Sequence, residues 1–172
     1  MTPSKLGLFH LNAALYLLAM VVACVCVVGG VMSWQRYQER ADERVEQERY
    51  GDVLKAARTE AEAFVNIDYR SAEESIDRVA DGATGDFAKQ YRSESTSVVE
   101  LVKENESVMT GEILWAGVVD VDQDSATVLV ATSGTVANVQ TDNRATVRNF
   151  RLQLELQRVK GRWLTSDLQF VG

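Results

Sequence analysis

A chain of 172 residues holds one domain of ordinary size plus an appendage. With 25 acidic against 18 basic residues, its net charge of −7 argues against a nucleic-acid partner and against an electrostatic grip on anionic lipid. The single histidine is His10, so a histidine-based acid/base pair, a catalytic triad and a zinc site are excluded from everything after it.

The first element is apolar. From Leu11 to Ser33 the sequence reads LNAALYLLAMVVACVCVVGGVMS, 23 positions without a charge. As a helix this run is about 35 Å long, enough to cross a hydrocarbon core with some tilt. Tyr16, Trp34 and Tyr37 stand where interfacial aromatics anchor a span. We therefore expect a short tail at 1–10 and a transmembrane helix at 11–34. A cleavable signal peptide would be shorter and end in small residues. VVAC at 21–24 has the look of a lipoprotein box, but the apolar run continues well past Cys24. Cys24 and Cys26, two residues apart, point in different directions on a helix and cannot pair locally. Counting cations alone, Lys5 is outweighed by Arg36, Arg40, Arg44 and Arg49, which places the C-terminal part in the cytoplasm.

Residues 35–55 are rich in Glu, Arg and Ala and poor in large apolar groups, the composition of a solvated helical stalk with some capacity for self-association. A domain at 56–172 follows. Its first helix carries Ala57, Ala61, Phe64 and Val65 on one side. Next comes NIDYRSAEESIDRVADGATGDF (66–87), a stretch with four Asp and two Arg. Here Ser71 and Glu74 fit a capping box, and Gly82 suits a left-handed helix end. Thr84 fits the start of another helix, with Asp86 in its first turn. That helix carries Phe87, Tyr91, Val98, Leu101 and Val102 in a stripe.

After Ser107 the period changes from helical to two. Ile113, Trp115, Gly117, Val119 and Val121 alternate, as do Ala126, Val128 and Val130. So do Phe150, Leu152, Leu154 and Leu156, and a last strand has Leu164, Leu168 and Phe170. DQDS (122–125) and KG (160–161) read as hairpin turns, and Gly111, Gly117 and Gly134 as places for bulges or bends. About three helices followed by about four antiparallel strands give an α+β domain, and a sheet bent around a helix is similar to the cone of nuclear-transport-factor-2-like domains.

Within that fold, proton abstraction needs a buried carboxylate with raised proton affinity, and Asp68 beside Tyr69, or Asp77, are the candidates. Helix capping and pairing with Arg70 or Arg78 explain the same acids without catalysis. Trp115 and Trp163 sit at core-compatible strand positions. The glycine-containing strings GTVAN and GATGDF lack the pattern of a phosphate loop, and DVDQDSA lacks the glycine and terminal glutamate of a calcium loop. No cofactor or metal is implied.

IDYRSAEESIDRVADGATGDFAKQY, TGEILWAGVVDVDQDSATVLVATSGTVAN and FRLQLELQRVKGRWLTSDLQFV together resemble actinobacterial Mce-associated (mammalian-cell-entry-associated) membrane proteins. The likeness runs from about Ala56 to Val171. It implies a non-enzymatic accessory subunit of an Mce-type lipid-import complex, with one membrane helix and a cone-like domain outside the cytoplasm, opposite to the cation count. It implies envelope proteins of that complex as partners, with lipid as a further candidate through the cone pocket. The signature residues are Asp68, Tyr69, Arg70, Ser71, Asp77, Arg78, Gly82, Thr84, Gly85, Asp86 and Phe87. Asp68, Arg70, Asp77 and Arg78 are expected to brace this joint.

Overall fold

A computed structural model describes residues 45–171 and, ahead of them, Met20. The expected tail, the span at 11–34 and the first part of the stalk thus lie outside the described residues. Among those described, no helix is long and apolar enough to cross a membrane, and no group of three or more His, Cys, Asp or Glu is placed to hold a metal.

Helix α1 occupies residues 45–65 without interruption, so the boundary expected at 55 and 56 falls inside it. Val53, Ala57, Ala61 and Val65 recur every four residues and are fully buried. Two of the four are alanines, which lets the helix axis approach the sheet closely. Two-residue β1 (Ile67–Asp68) and a 3-10 turn (Tyr69–Ser71) lead into α2 (Ala72–Gly82) and α3 (Gly85–Glu104). Four long strands follow: β2 (Val108–Val121), β3 (Ser125–Ala137), β4 (Thr146–Val159) and β5 (Arg162–Phe170). All neighbours pair antiparallel in the order β1-β2-β3-β4-β5, so the expected four-stranded sheet gains one short edge strand.

The main core lies between α1 and the inner face of the sheet. Ala126, Val128 and Val130 on β3 and Leu152, Leu154 and Leu156 on β4 face it, with Trp163 from β5. Each such leucine or valine contributes about 1.5–3 kcal/mol by leaving water. Phe150 and Phe64 both pack against the Phe170 ring, at centroid distances of 5.7 and 5.8 Å. Ala72, Ser75, Ile76, Val79 and Ala80 form the buried stripe of α2. Helix α3 is more solvated: only Val102 is buried, and Leu101, expected on the apolar stripe, is 59% exposed.

The expected inward face of β2 is corrected. Trp115 and Val119 are 56% and 61% exposed, while Ala116 is buried and Ile113, Val118 and Val121 pack on the core. The pairing register skips Leu114 between Ile113 and Trp115, and Val119 between Val118 and Asp120. Each extra residue reverses the phase of the strand beyond it, giving inward spacings of three, two and three instead of a strict two. In β5 the register skips Ser166, so Trp163, Thr165 and Leu168 share the inner side and Leu164 does not. The bulges therefore fall beside Leu114, Val119 and Ser166 rather than at Gly111, Gly117 and Gly134.

Those glycines meet a different need, close approach. Gly111 and Gly134 face each other across β2 and β3. A Cβ on Gly134 would lie 2.2 Å from the Thr110 carbonyl oxygen, and one on Gly117 would lie 2.4 Å from the Trp115 ring. The hairpin turns are as expected: the Asp122 N–H donates to the Ser125 carbonyl at 2.8 Å, and Lys160 and Gly161 have φ of 51° and 83°, the pair of positive angles a two-residue hairpin turn requires.

Candidate functional site

The joint between α1 and α2 is built from local hydrogen bonds. The Arg70 Nε donates to Asp68 Oδ1 at 2.8 Å and Oδ2 at 3.0 Å, and the Arg70 backbone N–H donates to Oδ1 at 2.9 Å. These bonds hold the Asp68 carboxyl below the usual aspartate range, chiefly through the Arg70 side chain. The guanidinium also lies 5.9 Å from the Tyr69 ring centre. Arg78 Nη2 donates to the Asn66 carbonyl and to Ser75 Oγ, both at 3.3 Å. Asp68, Arg70 and Arg78 thus brace the joint as expected, whereas Asp77 is exposed and has no hydrogen bond or ion pair among the described residues. A carboxylate so engaged by arginine is a poor proton acceptor, and Asp77 has no neighbour to orient it.

Two capping expectations are corrected. The Ser71 side chain makes no capping bond, because the chain enters α2 through the 3-10 turn and Asp68 caps that turn instead. Gly82 is not left-handed: it is the last residue of α2, and Ala83 continues in extended backbone at φ −94°. The positive angle falls on Gly85, at φ 62°. Thr84 does stand at the start of α3, but it contributes backbone: its N–H donates to the Thr165 carbonyl at 2.8 Å, pinning the α2–α3 connection to β5. Asp86 pairs with Lys89 at 2.8 Å with both side chains in solvent, and the Phe87 and Tyr91 rings meet at a tilt, 5.8 Å between centroids.

Two residues that sequence reasoning passed over carry more weight. Asn66 clamps β2: its Nδ2 donates to the Glu62 carbonyl at 2.9 Å and the Gly111 carbonyl at 3.0 Å, while its Oδ1 accepts from the Gly111 N–H at 3.1 Å. The clamp continues the β1 pairing by one more step. Asn66→Ala leaves both Gly111 groups unpaired in a half-buried place and is expected to cost about 2 kcal/mol, measured by urea unfolding of the intact chain.

The other is Glu60. It lies on the buried face of α1, one residue before Ala61, and is only 3% exposed. Its Oε1 is enclosed and has no hydrogen-bond partner, and neither oxygen bonds to any other described residue. Burial alone pushes its carboxyl up to about 8. Tyr91 on α3 is pushed up to about 12, first by its own burial and then by the Glu60 charge. Opposite the carboxyl is Gly82, where a Cβ would lie within bonding distance of Glu60 Oε2. The bare glycine explains how a carboxyl fits between α1 and α2: any side chain at position 82 would take the carboxyl's place. Glu60 lines a cleft of about 370 Å³ together with Asp52, Lys55 and Ala56 of α1 and Arg162, Trp163 and Leu164 of β5. The one signal in the sequence is position, since Glu60 interrupts the apolar face three residues after Ala57.

Residues 11–172 match the family described as "Uncharacterized protein Rv1363c/MT1408-like". The chain belongs to that family. Over 159 residues this Rv1363c/MT1408-like chain is 26% identical to the protein Rv1363c of Mycobacterium tuberculosis, covering 90% of the chain and 59% of that relative's length. Among solved structures it is similar to an IcmL-like type IV secretion system protein from Legionella pneumophila, with a TM-score of 0.56 and 14% identity over 70% of this chain and 91% of that one. The periplasmic domain of DotI gives a TM-score of 0.56 at 15% identity, covering 69% and 92%. A ketosteroid isomerase-like protein from Erwinia carotovora gives 0.51 at 22% identity, covering 73% and 98%. These likenesses establish the fold: the Rv1363c/MT1408-like domain is a nuclear-transport-factor-2-like cone with a curled antiparallel sheet and three helices.

Proposed function

We propose that this chain is a non-enzymatic accessory protein of the cell envelope. The apolar segment at 11–34 anchors it, the cone domain lies outside the cytoplasm, and the domain supports an Mce-type lipid-import complex by protein contact. The observation that carries this reading is the combination of an apolar N-terminal run with a cone similar in fold to the periplasmic domain of DotI. The Asp68–Arg70 and Asn66 contacts favour it further, because they spend the polar groups of the signature stretch on holding the joint. The stalk at 35–55 offers a surface for self-association, and the envelope proteins of the importer are the principal partners.

Two measurements test the proposal. An alkaline phosphatase fused after Gly172 is expected to be active in the envelope, and an inactive fusion with normal expression overturns the orientation. Deleting the gene is expected to lower the amounts of Mce proteins and the uptake of labelled lipid; unchanged values for both sink the accessory role.

A further inference from the structure

The cleft between α1, the end of α2 and the start of β5 serves no part of that accessory role. Its volume, about 370 Å³, lies in the range of small-molecule sites, roughly 300–1,000 Å³. Ala56, Trp163 and Leu164 supply apolar wall, while Asp52, Lys55 and Arg162 are its charged groups besides Glu60. Native interiors pair nearly all their buried polar atoms, so a carboxyl without a partner calls for a cause. Glu60 is such a group: it is 3% exposed and its Oε1 is enclosed without a hydrogen bond among the described residues. With Oε1 closed off, Oε2 is the oxygen by which the carboxyl meets the cleft, and the bare Gly82 leaves it room.

The charges decide what would fit. Asp52 offsets one of the two cations Lys55 and Arg162, so the rim is net positive when Glu60 is neutral, which opposes an amine. An anion would find its cations at the rim, but it can only accept from a neutral carboxyl and never donate to it. Through Oε2 a neutral carboxyl presents either its O–H donor or its carbonyl acceptor, according to which oxygen holds the proton. An alcohol hydroxyl both donates and accepts, and so complements it. We propose that this cleft binds an uncharged, hydroxyl-bearing small molecule, its hydroxyl paired with Glu60 and its apolar body lying on Ala56, Trp163 and Leu164. Such binding depends on the cleft alone and holds whether or not the domain supports an importer.

The probe is para-fluorobenzyl alcohol, followed by fluorine NMR with the full-length chain in detergent micelles. Empty micelles give the background, and para-fluorobenzylamine and para-fluorobenzoate carry the same body with a charged head. At about pH 6.5, where a carboxyl so buried keeps its proton, the alcohol is expected to bind saturably and at least about tenfold tighter than either charged probe. Glu60→Gln keeps a donor and an acceptor and is expected to bind within about threefold of the wild type. Glu60→Leu keeps the bulk and loses both, and is expected to bind about tenfold more weakly or not at all. Circular dichroism establishes that each variant is folded. The wild type decides the matter even if a variant does not fold: absence of saturable alcohol binding, or tighter binding of a charged probe, overturns the proposal. Equal binding by a folded Glu60→Leu overturns it as well.

Discussion

Between pH 5 and pH 8 the folded domain is expected to lose about 3–4 kcal/mol of stability, and Glu60→Gln is expected to remove most of that loss. The Glu60 carboxyl ionises near its ordinary value of 4.5 in the unfolded chain and near 8 in the folded one. In that window the unfolded state has released a proton that the native state retains. Each pH unit therefore favours unfolding, by at most about 1.4 kcal/mol. Below the window both states hold the proton, and above it both have lost it, so the slope vanishes at either end. The destabilising sign is the opposite of that for Asp68, Glu73 and Asp86, whose carboxyls are lowered by Arg70, Lys103 and Lys89. Those groups lose their stabilising effect only as pH falls toward the ordinary carboxylate range and below it. Thermal or urea unfolding at half-unit pH steps separates the two effects. A wild-type stability that is flat from pH 5 to pH 8, or equally sloped in Glu60→Gln, would mean that the carboxyl is not held out of water.

Gly134→Ala is expected to destabilise the domain by about 3 kcal/mol, lowering the unfolding midpoint by roughly 10 °C. In most strands a glycine-to-alanine change is neutral or helpful, because glycine carries the larger entropic cost of folding. Here the added Cβ meets backbone on two counts, the Thr110 carbonyl oxygen at 2.2 Å and the Gly111 Cα at 2.7 Å. Neither atom can swing aside as the end of a side chain could. Relief requires β2 and β3 to separate where Gly111 and Gly134 are directly paired, which also pulls on the Asn66 clamp. Gly51→Ala is the matched control: it lies in α1 with nothing within 4 Å of the new Cβ, and it is expected to raise stability by about 0.5–1 kcal/mol. Calorimetry on the two variants, read against the wild type, should find shifts of opposite sign.

Much of the fold is legible in the chain because β3 and β4 keep an unbroken period of two. Ala126, Val128 and Val130, and Leu152, Leu154 and Leu156, all face the core as the alternation requires. The period fails in β2 and β5, where Leu114, Val119 and Ser166 are inserted without any glycine to announce them. A bulge at an ordinary residue leaves no local mark, and every side chain beyond it changes face. At the joint, the Asp68–Arg70 pair is readable because its members are two residues apart. The Ser71 box is not, because a 3-10 turn moves the cap upstream to Asp68. Glu60 escapes notice because nothing near it in sequence defines its surroundings: Gly82, Tyr91 and Trp163 come to it from three other elements. Its place on the apolar face, three residues after Ala57, is the one local mark, and in a run of Glu and Ala on a charged helix that mark is faint.

The bulges in β2 have a consequence for the open side of the sheet. Among the described residues, strand β1 covers only Val108 and Met109, so beyond the Asn66 clamp the long β2 presents a sheet edge along most of its length. A straight edge of that kind is a template on which another chain's strand can add itself, the first step toward aggregation. Leu114 and Val119 interrupt the even spacing of amide and carbonyl groups twice within six residues. An incoming strand can match the rhythm for only a few residues before it falls out of step. The irregularity that hides the inward face of β2 also keeps its open side from recruiting a neighbour.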